Sequence, residues 1–326
     1  MDFADDFKLD DLPEIAGSNN GAFMEESRPV QQEKPKEGFK TGWYDGISNR
    51  DYHNDNSVSK SGLDLIAIDP ASYLWRKDAP VDTEKLKALD YGTNFHAYCL
   101  EPDLFKEKYK VLPVFNRKKD AEKKAELELI EEWKESGIIP VKSEDMVKLE
   151  MMRGSLMAHP TARAIMDMKG VSERSFFWED DETGIKCRCR PDKIIELPDN
   201  HGFRFIESEA THLVVDLKST GDINKIEKSI EEFRYFVQDP FYSLGVETVI
   251  EFSKVDFLFV FVSTTIDCGR YPVRVVRLSA PAKFDGKEEY RKNLNSLGSM
   301  KKKSDWLSVL EIDRPQWAVK QREEFL

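Results

Sequence analysis

The chain reads as an α/β protein: a mixed central sheet flanked by helices, with further helices added to that core. Three observations predict it. Before about residue 170 the apolar residues recur at helical spacing, and from Ser175 onward they shift toward the two-residue period of strands. The later half then runs strand, strand, strand, helix, strand. Finally, 326 residues with 40% hydrophobic content are enough to bury a substantial core, as one elaborated domain or two.

The elements follow in order. Residues 1–39 hold ten acidic side chains, and SNNG and QQEKPKEG carry no apolar period, so this is read as a disordered acidic arm ahead of a domain over 40–326. Its acidic-apolar opening, Asp5 to Ile15, is a candidate docking peptide, with a solubilising tail as the plainer reading. Ser59 to Asp69 is predicted helical, with Ser59 and Ser61 as caps, Leu63, Ile66 and Ala67 inward, and Pro70 ending it. Leu89 to Leu100 is a second helix, closed by Glu101-Pro102. Arg117 to Glu135 places Leu127, Ile130 and Trp133 on one stripe of a charged, exposed helix. Ser143 to Met168 is helical with a break near His159-Pro160.

Strands are predicted at Ser175–Glu179, Ile185–Ile195 and His212–Leu217, separated by turn signals at Asp180 to Gly184 and Pro198 to Gly202. A long helix follows, about Ile223 to Val246, containing Pro240. Val255–Thr264 and Arg270–Leu278 form a last strand pair, and Glu288–Gly298 and Gln316–Phe325 are helices. No internal repeat is visible.

Composition excludes several functions. Lys and Arg number 49 against 61 Asp and Glu, a net −12, which argues against passive nucleic-acid coating or attachment to anionic membranes. The longest apolar run, Phe257 to Val262, is far short of the roughly 18 residues of a membrane span. The N-terminus lacks the apolar core of a secretory signal, and four Cys make no disulfide framework. The expectation is a soluble, cytoplasmic protein. An enzyme with a basic groove on an acidic body remains compatible with the charge.

The sharpest chemistry lies in Arg190-Pro191-Asp192 on one predicted strand and Val215-Asp216-Leu217-Lys218 on the next. Residues two apart on a strand share a face, so Asp216 and Lys218 point together while Leu217 points into the core. With Asp192 at the neighbouring strand end, two carboxylates and an ammonium converge. Carboxylates about 4 Å apart repel by roughly 4 kcal/mol at an effective dielectric of 20, a cost relieved by a proton or a divalent cation. Oxygen ligands with room for water suit Mg²⁺, which binds substrate phosphate and can activate water. Lys218 would then position the attacking water and stabilise charge, because an unperturbed lysine, near pKa 10.4, is a poor base at neutral pH. Taken alone, Asp-x-Lys is more often a surface pair.

Two flanking features add weight. His96 lies mid-helix in GTNFHAYCLEP, where a neutral imidazole can ligate a metal, although a core histidine is the commoner outcome. Gln238 and Tyr242 sit i,i+4 in QDPFY and share a helix face that can cover the site. In KCRCR, Arg188 and Arg190 share one face and suit phosphate, while Cys187 and Cys189 share the other. With no CxxC and the other cysteines distant, buried thiols are favoured over a metal or iron–sulfur site. Ser59, Lys60 and Ser61 open a helix whose N-terminus can hold an anion or simply be capped. Lys301, Lys302 and Lys303 are candidate contacts to a DNA backbone, or a solvated helix end.

In order, GISNRDYHNDNSVSKSGLDLI, GTNFHAYCLEP, CRCRPDKII, VVDLKST, FRYFVQDPFYS and STTIDCGRYPV resemble the nuclease domain of the RecE (exonuclease VIII) family, within the PD-(D/E)xK superfamily. The likeness spans about Gly42 to Trp317. It implies that His96, Asp192 and Asp216 are metal ligands, with the Leu217 carbonyl a further one. Lys218 matches the catalytic lysine, Gln238 and Tyr242 the QxxxY motif, and Glu173 an acid supporting the site. It also implies a Mg²⁺-dependent exonuclease, with Mn²⁺ as a substitute, that degrades the 5′ strand of linear double-stranded DNA. A ring-shaped homo-oligomer, a tetramer, would hand the 3′ overhang to a RecT-like annealing protein in a bacterial or phage setting. Ser59, Lys60 and Ser61 become candidates for holding the 5′ phosphate.

The sequence departs from the pattern at Asp199 to Thr211, which lengthens the hairpin before the DxK strand and is a place for an altered channel rim or oligomer contacts. Two alternatives stay open: a structure-selective endonuclease with the same site, and a non-catalytic DNA-end adaptor.

Overall fold

The computed structural model describes residues 38–77, 86–116, 118–307, 309 and 311–315. Most of the acidic arm and the helix expected at Gln316–Phe325 lie outside these residues. In chain order, β1 (Gly42–Tyr44) leads to helices α1 (Asn49–His53), α2 (Lys60–Ile68), α3 (Pro70–Lys77), α4 (Leu86–Leu100) and α5 (Pro102–Lys108). Next come β2 (Tyr109–Val111), α6 (Asp120–Glu135), β3 (Ile139–Val141), α7 (Ser143–Ala158) and α8 (Pro160–Asp167). The central strands are β4 (Val171–Ser172), β5 (Ser175–Glu179), β6 (Lys186–Cys189), β7 (Lys193–Glu196) and β8 (His212–Thr220). The chain continues with α9 (Ile226–Glu232), α10 (Tyr235–Val249), β9 (Val255–Ser263), β10 (Val273–Val276) and α11 (Ala280–Lys303).

A five-stranded sheet in the order β10-β9-β8-β7-β4 carries the core, and a three-stranded sheet β1-β5-β6 stands beside it. β8 and β9 run parallel while the other neighbours are antiparallel, so the large sheet is mixed as expected. Alternation on β8 and β9 separates two apolar layers. Val214, Phe257, Phe259 and Phe261 enter one layer with α10 and α11. Leu213, Val215, Leu217, Leu258, Val260 and Val262 enter the other, with α7, α8 and part of α4. Each such fully buried side chain is worth roughly 1.5–3 kcal/mol, so the two layers fix the register of the central strands.

Several helix boundaries follow from local chemistry. Ser59 caps α2 by accepting from the Gly62 N–H. The α7–α8 break falls at His159-Pro160, where His159 Nδ1 accepts from the Ala162 N–H at 3.2 Å. Two expectations need correction. The strand expected over Ile185–Ile195 is two strands, because Pro191 has no N–H for a ladder and the chain crosses from the small sheet to the large one there. The long helix expected over Ile223–Val246 is a 3₁₀ turn plus two helices, broken at Arg234 in the left-handed region (φ 54°) and not at Pro240.

Pro240 instead sits inside α10, where its missing N–H leaves the Phe236 carbonyl without its helical donor. α11 crosses there through Gly286. A Cβ on Gly286 would lie 1.8 Å from the Phe236 oxygen and 3.0 Å from Pro240 Cγ. Among the described residues no helix is long and apolar enough to cross a membrane.

Gly286→Ala is therefore expected to destabilise the protein, by more than the ~1 kcal/mol that Gly-to-Ala ordinarily gains in a helix. Gly154→Ala on α7, where an added Cβ meets nothing within 4 Å, should gain about that amount. Urea denaturation of both variants checks the contrast; equal shifts would mean the crossing is looser than described.

Candidate active site

The DxK strand delivers its side chains as the alternation requires. On β8, Asp216 and Lys218 lie on the face of Val214 and both are buried, while Leu217 is buried on the other face. Lys218 Nζ lies 2.9 Å from Asp216 Oδ2 and 4.5 Å from the centroid of the Tyr235 ring. Gln238 reaches in from α10, its Nε2 donating to Asp216 Oδ1 at 2.5 Å. Burial pushes the Asp216 carboxyl upward, to about 7; Lys218 pulls it back and Asp192 adds to the rise.

Asp192 is held in the gap between β6 and β7. Its Oδ2 accepts the Leu217 N–H at 2.7 Å and lies 3.3 Å from His96 Nδ1. His96 is carried by α4, whose flanking Phe95 and Ala97 pack into the second apolar layer. Glu173 follows β4 with φ at 54°, and its own N–H donates to the Asp192 carbonyl at 3.2 Å. One ligand atom each from His96, Glu173 and Asp192 all lie within 4.8 Å of one another. Two carboxylates at that separation repel by about 3–4 kcal/mol at an effective dielectric of 20.

The grouping adds Glu173 to the expected ligands His96 and Asp192. Glu173, expected as a supporting acid, stands with His96 and Asp192, whereas the Asp216 carboxylate is engaged by Lys218 and Gln238. The donor set fits a hard divalent cation: two carboxylates, one imidazole and, on the strand side, Leu217. A residue's N–H and C=O point to the same side of a strand, so the Leu217 carbonyl shares the side on which its N–H meets Asp192. Thiolates are not part of it. Cys187 and Cys189 are buried in the first apolar layer, where burial pushes both thiols up.

Other expected site residues are placed elsewhere. Tyr242, one turn beyond Gln238, is half-buried with its ring 6.4 Å from that of Phe257. Arg188 and Arg190 share a face as the alternation predicts, yet neither is presented to solvent. Arg188 donates to the Asp55 carbonyl at 2.9 Å and to the Ser57 carbonyl. Arg190 donates to Ser175 Oγ, Asn49 Oδ1 and the Ile47 carbonyl, with Tyr52 stacked 4.0 Å from its guanidinium. The expected phosphate contacts are thus clamps that fasten residues 47–57 to β6, because a buried guanidinium needs its donors filled.

Lys60 is likewise buried. It pairs with Asp64 at 2.8 Å and donates to the Phe233 carbonyl at 2.5 Å. Ser59 and Ser61 share a hydrogen bond at 2.9 Å. This helix start lies close to the site nonetheless, since Lys60 Nζ is 5.9 Å from the same Tyr235 ring that Lys218 faces. Tyr235 belongs to no catalytic motif visible in the sequence, although its i,i+3 spacing to Gln238 places both on one helix face. The 199–211 stretch packs at the far end of the sheet: the Glu207 N–H and Arg277 bond to Asp256 at the start of β9.

Fold and site define a PD-(D/E)xK-type protein, with its acids and lysine on adjoining strands beneath a helix. The chain belongs to the family described as a PDDEXK-like domain of unknown function (DUF3799), which matches residues 59–306. Among solved structures it is similar to a candidate exonuclease from Eubacterium rectale. That match covers 84% of this chain and 97% of the other at 14% identity, with a TM-score of 0.53, a likeness of fold. A second structure, SSO0001, covers 47% of this chain and 59% of its own at 14% identity; its TM-score of 0.24 is too low to bear on the fold. No curated protein matches the chain.

Arg190→Lys should lower stability by about 1–3 kcal/mol, since an ammonium cannot reach three partners and stack on Tyr52 as well. Chemical denaturation checks this, and an unchanged midpoint would mean the clamp contributes nothing. A pH effect follows from Asp239, next to Gln238, whose carboxyl burial pushes up to about 6 while Lys283 and Ser243 pull it back. The folded state then holds this proton more tightly than the unfolded one, so stability falls as pH rises from about 4 to 6. In chelator, Asp239→Asn should reduce the loss of urea midpoint between pH 4.5 and 7.

Proposed function

We propose that the protein is a nuclease dependent on a divalent cation, acting as an exonuclease on linear double-stranded DNA. The observation that carries this is the meeting of His96, Glu173 and Asp192 beside the Asp216–Lys218–Gln238 group. A cluster of buried acids with one lysine suits hydrolysis of a phosphodiester, where negative charge gathers on phosphate oxygens in the transition state. Mg²⁺, or Mn²⁺ in its place, would supply Lewis acidity at the phosphoryl oxygen and a more acidic water.

The chain's own groups divide the remaining tasks. His96, Glu173, Asp192 and the Leu217 carbonyl would hold the cation, with Asp216 facing it from β8. Lys218 orients the attacking water and offsets charge as the water oxygen bonds to phosphorus and the bond to the 3′ oxygen breaks. Gln238 fixes the Asp216 carboxylate, and Tyr235 holds the lysine ammonium at its ring face. The resemblance to the RecE family supports the finer reading: digestion of the 5′-ended strand by a ring-shaped tetramer, whose 3′ overhangs pass to a RecT-like annealing protein. Ser59 and Ser61, at the start of the helix whose Lys60 ammonium lies 5.9 Å from the Tyr235 ring, would be the groups that meet a 5′ phosphate.

Linear duplex labelled at its 5′ or its 3′ end, alongside closed circular duplex, tests this in Mg²⁺. Release of the 5′ label with circles left intact is expected. Cutting of circles would replace the proposal with the structure-selective endonuclease. Lys218→Met should lower the rate by about 100- to 10,000-fold with the fold retained. Activity surviving both Lys218→Met and Asp192→Asn would remove the site from the chemistry, whereas binding of duplex ends without cleavage by the unaltered protein would leave the DNA-end adaptor.

A further inference from the structure

Two ligand-bearing segments, the start of β7 with Asp192 and the helix that carries His96, are each tied to β4, a two-residue edge strand that leads directly into Glu173. Val171 and Ser172 pair with Ile194 and Lys193 on β7, and the Glu173 N–H continues that register onto the Asp192 carbonyl. Ser172 Oγ donates to the Leu100 carbonyl at 3.0 Å, at the end of the helix that carries His96. The approach to β4 from α8 is fastened by Lys193. Its buried ammonium donates to the Ile165, Met166 and Met168 carbonyls at 3.2, 2.9 and 2.7 Å, filling the C-terminal acceptors of α8. Gly170 lets the chain pass over this lysine: a Cβ there would lie 2.6 Å from the Ile194 oxygen and 3.0 Å from Lys193 Cε.

We infer that Lys193 is a positioning residue for the cation site: it docks α8 against β7 and so holds Glu173 against Asp192. The inference rests on the cation-site reading above. Lys193 follows Asp192 directly in the chain, so one short segment holds one ligand and anchors the strand that brings another. Glu173 keeps a left-handed backbone that an unconstrained glutamate rarely adopts, and the anchored β4 supplies that constraint. Without the ammonium, the Met166 and Met168 carbonyls lose this donor, the Ile165 carbonyl is left with the Met168 N–H, and the β4 approach loosens. Asp192 keeps its bond to the Leu217 N–H, so the loss falls on Glu173.

Mn²⁺ binding to the full chain, followed by calorimetry and by the paramagnetic resonance of bound Mn²⁺, tests this without recourse to activity. Lys193→Met should weaken Mn²⁺ binding at least tenfold while circular dichroism shows a folded protein. In a Glu173→Gln background the same change should alter affinity less than twofold. Leu294→Ala, a core truncation in the other apolar layer, serves as a control that destabilises without changing Mn²⁺ affinity. Should Lys193→Met fail to fold, Lys193→Gln, which keeps one donor, takes its place with a several-fold weakening expected. Unchanged affinity in a folded Lys193 variant overturns the proposal, as does an equal loss with and without Glu173. Absence of Mn²⁺ binding in the unaltered protein would instead overturn the cation site itself.

Discussion

The hydrogen bond from the Leu217 amide to the Asp192 carboxylate is the contact on which the site depends. β7 and β8 pair from Glu196 and His212 up to Lys193 and Val215, and the next β8 amide on that side belongs to Leu217. Pro191 turns the chain away toward β6, so no main-chain acceptor continues the ladder. The aspartate side chain accepts in its place. A buried amide is thereby satisfied, and a carboxylate is fixed where His96 and Glu173 can reach it. Loss of that acceptor would disturb the sheet as well as the site.

Much of this was legible because it depends on period. Asp216 and Lys218 share a face by strand alternation, Gln238 stands one helix above them, and the buried Cys187 and Cys189 alternate with two arginines. Less was legible where tertiary partners decide. The split of Ile185–Ile195 was signalled by Pro191 inside a strand pattern, yet the continuous apolar run around it masked the signal. β1, β2, β3 and β4 are two or three residues long and leave no period to read. The place of Glu173 among the ligands rests on a left-handed backbone set by long-range pairing, which residue type alone does not show.

The cations show the same limit from another side. Lys60, Arg188 and Arg190 were candidates for DNA contact because sequence displays charge and not burial. All three are buried and face carbonyls, carboxylates or an aromatic ring. With Lys193 they form a set of internal cations that tie helices and loops to the sheet around an acidic centre. Their guanidinium and ammonium groups are long enough to bridge layers and always seek oxygen. Any groove that meets a nucleic-acid backbone must therefore draw on other cations than these four.

The seam at Pro240, Phe236 and Gly286 carries a mechanical consequence. A proline that frees a carbonyl usually lets a helix bend, but here α11 lies flush against the weak point. Contact that close stops α10 from rolling or sliding on its neighbour. Gln238 sits two residues from the proline, so the amide that orients Asp216 is indexed to α11, the way a keyed shaft is set by its slot.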